Sequence, residues 1–233
     1  MKQQTMCIAA YKGEIGSFLL GGLLRVLPKA LDIFCFDINE TEEEKTHRLK
    51  ISDIVFLCVP LKETLPWLIK YQDILVGKII IEQCSLKEPL FESYVSKKLN
   101  VRSMHILFRP SQTPSLQDRR VGLFEGQFDK ELVELIAQIT QAQIVWFANA
   151  AEHDKEMAIQ QALLHRTILI LGDMFDKCHG STYVSKKVLE LRDRIKGGSK
   201  DLYKDIQGNR YLGEQIENLS RKLLTFNLDE YWK

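Results

Sequence analysis

The stretch Thr5–Leu24, TMCIAAYKGEIGSFLLGGLL, decides the fold. Thr5–Ala10 is an apolar run of strand length, and Gly16–Leu27 carries apolar residues at helical spacing. The turn between them holds Gly13 and Gly16 at the spacing of the second and third glycines of G-x-G-x-x-G. Tyr11 stands where the first glycine would be. In that motif the first glycine shapes a tight turn, the second lets the backbone approach a pyrophosphate, and the third lets helix and strand pack closely. The stretch predicts the opening unit of a dinucleotide-binding α/β fold. It puts Gly13, Glu14, Ile15 and Gly16 at the cofactor.

Outward from this unit, a second predicted strand, Asp32–Asp37, ends in a carboxylate about twenty residues past Gly16, the place of an acidic group that binds the adenosine ribose. A 2′-phosphate would meet that carboxylate, so Asp37 favours NAD over NADP. Further strands are expected at Asp53–Val59, Lys78–Glu82, Val101–Ile106, Val121–Glu125 and Ile144–Phe147, several of them continuous apolar runs suited to a sheet covered on both faces. Helices are expected between them at Glu42–Leu49, Thr64–Tyr71, Pro89–Leu99 and Asp129–Gln138. Beyond Asn149 the pattern is helical only. One long helix is expected over Ala150–Met174 on a stripe of Met157, Gln161, Leu164, Ile168 and Leu171, with others at Tyr183–Lys196, Ser199–Gln207 and Leu212–Phe226. The expected class is therefore α/β, with residues 1–149 forming a mostly parallel dinucleotide-binding domain and residues 150–233 a smaller all-helical one. So small a helical domain has few surfaces to bury alone and is expected to pack on the first domain or pair with a second copy.

Composition narrows the function classes. The chain has 233 residues, of which 45% are hydrophobic and 27% charged, an ordinary globular balance. Its 32 basic and 31 acidic residues leave a formal charge of +1, without the electrostatic footprint of a nucleic-acid binder. Lys12, Arg25 and Lys29 interrupt the one rich apolar segment, so no membrane span is expected, and the first residues lack the order of a signal peptide. Five scattered cysteines without a CxxC pair suggest buried thiols in a reducing cytoplasm, and the dispersed histidines suggest no metal site. No GxSxG elbow supports a serine hydrolase.

Four further segments carry a resemblance. DIVFLCVPL (Asp53–Leu61), IIIEQCSLKEPL (Ile79–Leu90), MHILFRP (Met104–Pro110) and AAEHDKEMAIQQALLH (Ala150–His165) occur in the order and spacing of prephenate dehydrogenase, and the chain resembles that family over roughly residues 5–210. The resemblance implies a Rossmann domain followed by a helical dimerisation domain. It implies NAD-dependent oxidative decarboxylation of prephenate, a dicarboxylate, to 4-hydroxyphenylpyruvate in tyrosine biosynthesis, by a homodimer joined through the C-terminal helices. His105 then falls on the histidine that accepts the substrate's hydroxyl proton, and Ser85 and Lys87 on the family's Ser-x-Lys, which makes Ser85 a catalytic hydroxyl and Lys87 a substrate-binding group. His153 and Gln161 line the substrate pocket, Arg194 before SKDLYKDI binds a substrate carboxylate, and Pro60 touches the cofactor.

Read without the family, His105 could equally be a structural hydrogen-bonder, Ser85 a helix N-cap before EPLFESY, and His153 with Gln161 an ordinary polar stripe. Arg194 could be part of a solvated helix end, with Arg192 as an alternative carboxylate ligand. Ile106 and Leu107 replace the family's Pro and Met, and Arg109 replaces its glycine. With Tyr11, these departures keep open a relative that has shifted its substrate, or that retains the fold as a non-catalytic binding protein.

Overall fold

The computed structural model describes residues 4–27, 33–93, 98–112 and 115–227. Asp32, the start of the second expected strand, and residues 94–97 of the expected helix Pro89–Leu99 lie outside the described residues. The chain divides into two compact units, Met1–Ala150 and Ala151–Lys233.

In the first unit β1 (Met6–Ala9), β2 (Ile33–Phe36), β3 (Ile54–Leu57), β4 (Ile79–Glu82), β5 (Asn100–Ile106), β6 (Arg120–Phe124) and β7 (Gln143–Phe147) form one sheet in the order β2-β1-β3-β4-β5-β6-β7. The first five strands are mutually parallel, β6 is antiparallel to β5, and β7 is parallel to β6. The reversal agrees with the connection: among the described residues of 107–119 there is a short 3-10 turn at Leu116–Asp118 and no crossover helix of the kind a parallel return uses. Helices α1 (Glu14–Val26), α2 (Glu42–Lys50), α3 (Leu61–Leu75) and α5 (Lys130–Thr140) fill the other connections, as does the short α4 (Glu88–Phe91).

Alternation along β1 divides the core. Met6 and Ile8 join Leu19 and Leu23 of α1 and Ile136 and Ile139 of α5 on one face, whereas Cys7 and Ala9 join Leu49 of α2 and Leu68 and Leu75 of α3 on the other. Helices α1 and α5 meet at Gly22, where a Cβ would come within 2.3 Å of the Ile139 carbonyl oxygen. Burial pushes the Cys7 thiol up to about 12, and burial raises Cys35, Cys58 and Cys84 as well.

One local reading is corrected here. Ser85 does not cap the following helix: α4 begins at Glu88 with Lys87 at its N-cap and no side-chain cap bond. Helix α4 ends at Phe91, and beyond residues 94–97 Lys98 is again helical.

In the second unit the expected long helix is continuous but not uniform. It runs as α6 (Ala150–Met157), a π turn (Ala158–Leu163) and α7 (Leu164–Phe175), followed by α8 (Tyr183–Lys196), α9 (Lys200–Gln207) and α10 (Leu212–Leu224). Its buried stripe keeps Met157 and Ile168 of the expected one but also passes through Ala158, Ala162 and Gly172, while Leu164 is 50% exposed. Small residues let neighbouring helices approach: Ala162 packs with Ile206 and Leu212, and a Cβ on Gly172 would come within 2.5 Å of Arg192 Cδ. Among the described residues no helix is long and apolar enough to cross a membrane.

Candidate active site

The carboxyl ends of the five parallel strands gather the predicted residues of the first unit. Gly13–Gly16 follows β1, Asp37 follows β2, Pro60 follows β3, Ser85 follows β4, and His105 is the penultimate residue of β5. The chain reverses its direction of winding between β1 and β3, where open α/β sheets bind their ligands.

The glycine turn is built differently from the motif's usual form. The left-handed residue is Ala10, at φ 62°, held by bonds from its own N–H and that of Tyr11 to the Phe36 carbonyl and by the Gly13 N–H on its oxygen. Tyr11 packs against the core. A Cβ on Gly16 would lie 2.3 Å from the Ala10 oxygen, so helix packing demands glycine there. One on Gly13 would make only an ordinary 3.5 Å contact, so no neighbour in the fold requires that glycine. Gly13 caps α1 with no side-chain bond, Ile15 packs against the core, and the first amides of the helix face the carboxyl edge. An uncapped helix start beside a glycine that packing does not need fits a dinucleotide pyrophosphate.

Asp37 accepts the Lys12 N–H at 2.9 Å on one oxygen and the Ile38 N–H at 2.8 Å on the other. It fastens the β1–α1 turn to the end of β2, and each oxygen retains a second lone pair for a ribose hydroxyl. The Glu40 carboxylate accepts the Asp37 N–H at 2.7 Å, which adds a second negative charge at this corner. Pro60 is exposed at the N-cap of α3.

His105 is 4% exposed and stands opposite Gly122 of β6. Ser85 is half-buried beyond the end of the neighbouring strand. Between them lies a charged cluster that sequence reasoning missed. Lys87 and Glu82 are both 0% exposed, with Lys87 Nζ 2.8 Å from Glu82 Oε1 and 2.9 Å from the Met104 carbonyl. The other Glu82 oxygen accepts the Cys84 N–H at 2.6 Å, and the Ser103 hydroxyl also bonds this carboxylate. The Lys87 ammonium thus ties the turn bearing Ser85 to the strand bearing His105.

In the second unit His153 is fully buried, its Nδ1 2.7 Å from Asp154 Oδ1, and Asn209 donates to the Asp154 carbonyl at 2.6 Å. Gln161 lies in the π turn, a geometry enriched at functional sites, and its buried Oε1 has no hydrogen-bond partner. His165 was not singled out from the sequence, yet its buried Nδ1 is likewise unpartnered, and burial lowers its pKa. The signal was its place four residues after Gln161, on the same helical face. Arg194 is exposed near the end of α8. Arg192 is buried, donating to the Gly172 carbonyl, to Asp176 and to Asp193, so it serves the packing of α7 and α8.

Among the described residues no group of His, Cys, Asp and Glu is placed to hold a metal ion. No protein-family model matches the chain, and no curated protein matches it. Solved structures do. A protein of Corynebacterium glutamicum provisionally named a prephenate dehydrogenase aligns with a TM-score of 0.76 at 16% identity, covering 94% of this chain and 80% of that one. A pyrroline-5-carboxylate reductase of Coxiella burnetii aligns at 0.53 and 16% identity, covering 99% of this chain and 93% of that one. The Plasmodium falciparum pyrroline carboxylate reductase with NADP bound aligns at 0.52 and 14% identity, covering 97% and 93%. The chain thus has a Rossmann-like fold shared with dehydrogenases and reductases, completed by C-terminal helices.

Proposed function

We propose that the protein is an NAD-dependent dehydrogenase that oxidatively decarboxylates prephenate or a closely related anionic substrate. The observation that carries this reading is His105, a buried imidazole at the carboxyl end of β5, on the same sheet edge as the open glycine turn. Gly13, Gly16, Asp37 and Pro60, with the backbone amides of Glu14 and Ile15, are the groups that would hold a dinucleotide, the Glu14 side chain being taken up by Arg109 and Ser111. Bound there, the nicotinamide supplies the two-electron oxidant. His105 accepts the proton of the substrate's ring hydroxyl as that carbon becomes a carbonyl, and Ser85 orients the same hydroxyl. Loss of the ring carboxylate as carbon dioxide then aromatises the product. The Lys87 ammonium, spent on Glu82 and Met104, acts by holding these two groups in place. The assignment of His153, Gln161 and Arg194 to the substrate's carboxylates and ring rests on the resemblance.

The test is to mix purified protein with prephenate and NAD and follow reduced cofactor. No signal above background from a cooperatively melting protein would favour the second reading, a non-catalytic relative, for which the Glu14 carboxylate in the first turn of α1 is the favouring observation. Calorimetric titration should give tighter binding of NAD than of NADP, because Asp37 and Glu40 both face a 2′-phosphate with negative charge. Asp37→Ser should narrow the preference, and equal affinities in the unmodified protein would overturn it.

The same reading includes a homodimer joined through the second unit, where Ile170, Met174, Val184 and Leu191 stay exposed on α7 and α8. Sedimentation at micromolar concentration should give twice the 27.0 kDa chain mass, and a clean monomer would count against it.

A further inference from the structure

We propose that Arg109 sets dinucleotide affinity by neutralising Glu14, an inference that rests on the dinucleotide reading above. Glu14 occupies the first turn of α1, beside the amides that a pyrophosphate would use. Its carboxylate is fixed by three donors: the Ser111 N–H at 3.0 Å, the Ser111 hydroxyl at 2.5 Å and Arg109 Nε at 3.0 Å. Burial pulls its pKa upward, but the bonds from Ser111 and Arg109 outweigh this and hold it below the usual carboxylate range. It is therefore ionised at neutral pH. An acid there suits the helix dipole but competes with an incoming phosphate.

Arg109 removes the conflict. Its guanidinium cancels the charge of Glu14 where the two meet, and both side chains are more than a third exposed, so solvent screens the pair without abolishing it. The loop that carries Arg109 has a second anchor besides this pair. Phe108 packs edge-on against Phe18 of α1 at 5.5 Å, and the Arg119 guanidinium lies over both rings. Judged by its length, Arg109 looks like an obstruction in a place suited to glycine. Its contacts give it the opposite sense: without it, the phosphate turn would face an unneutralised carboxylate.

The experiment is calorimetric titration of NAD into the unmodified protein, Arg109→Gly, Glu14→Gln, the double variant and Arg109→Lys, each checked for a cooperative melt. Arg109→Gly should weaken binding roughly three- to tenfold, the range for an uncompensated charge near a partly solvated phosphate. The double variant and Arg109→Lys should return to within about twofold of the unmodified protein, since neither leaves a net negative charge at the turn. Glu14→Gln should bind at least as tightly as the unmodified protein, which keeps the proposal testable if Arg109→Gly does not fold. Unchanged or tighter binding by Arg109→Gly would overturn it, as would equal weakening in the double variant or weaker binding by Glu14→Gln. Failure of the unmodified protein to bind either NAD or NADP would overturn the dinucleotide reading, and this inference with it.

Discussion

Replacing His105 with Asn should lower turnover of prephenate by roughly two to four orders of magnitude, the usual span for losing a positioned general base, while leaving NAD affinity and the melting transition almost unchanged. Asn keeps polar atoms near the imidazole's positions in a site that is 4% exposed, so it does not open a cavity large enough to unfold β5. What it cannot do is take a proton near neutral pH. The partition of the loss is informative. A fall in kcat with little change in KM identifies a group that acts in the transition state, whereas a rise in KM alone would reduce His105 to a binding residue. A variant that turns over at the unmodified rate would remove His105 from the chemistry.

The largest effect on stability should come from Lys87→Met. The substitution leaves the Glu82 carboxylate fully buried with its cation gone, and breaking a buried pair in this way costs about 3–5 kcal/mol. Urea unfolding followed by circular dichroism measures the loss. Adding Glu82→Gln should regain at least half of it, because the amide oxygen can still accept from Cys84 while its NH2 donates to the Ser103 hydroxyl oxygen, and no isolated charge remains. A loss of only a few tenths of a kilocalorie in the single variant would show that Lys87 reaches solvent and is available to a substrate.

The sheet was legible because β1, β3 and β4 are nearly pure apolar runs and several helix starts carry a local signal, such as the Thr41 capping box of α2 and the Asp129 cap of α5. The carboxyl-edge site was legible for the same reason: once β1 through β5 are in register, everything just past their ends shares one edge. What escaped was decided by partners distant in sequence. Glu14 and Arg109 are 95 positions apart, and nothing near either announces the other. Glu82 and Lys87 are close in sequence, yet an ammonium among polar residues reads as a solvated or ligand-binding group until the packing of β5 encloses it. Along the long helix of the second unit the expected Met157 and Ile168 are buried, but Leu164 is not, because close packing there uses the small faces of Ala158 and Ala162 in the π turn and of Gly172 in α7.

Ala10 shapes how the glycine turn after β1 would meet a ligand. Left-handed backbone costs an L-residue roughly 1–2 kcal/mol, whereas glycine at such a position would surrender about 0.5–1 kcal/mol more chain entropy on folding. The second offsets about half of the first, so alanine costs the fold on the order of 1 kcal/mol. They differ in the width of the well they leave. Glycine would let the turn wander over a broad range of backbone angles, but alanine at φ 62°, clamped by its bonds to Phe36 and Gly13, has one narrow basin. The entropy of shaping this turn is thus lost during folding, and a pyrophosphate arriving at Gly13 would find its cradle already set.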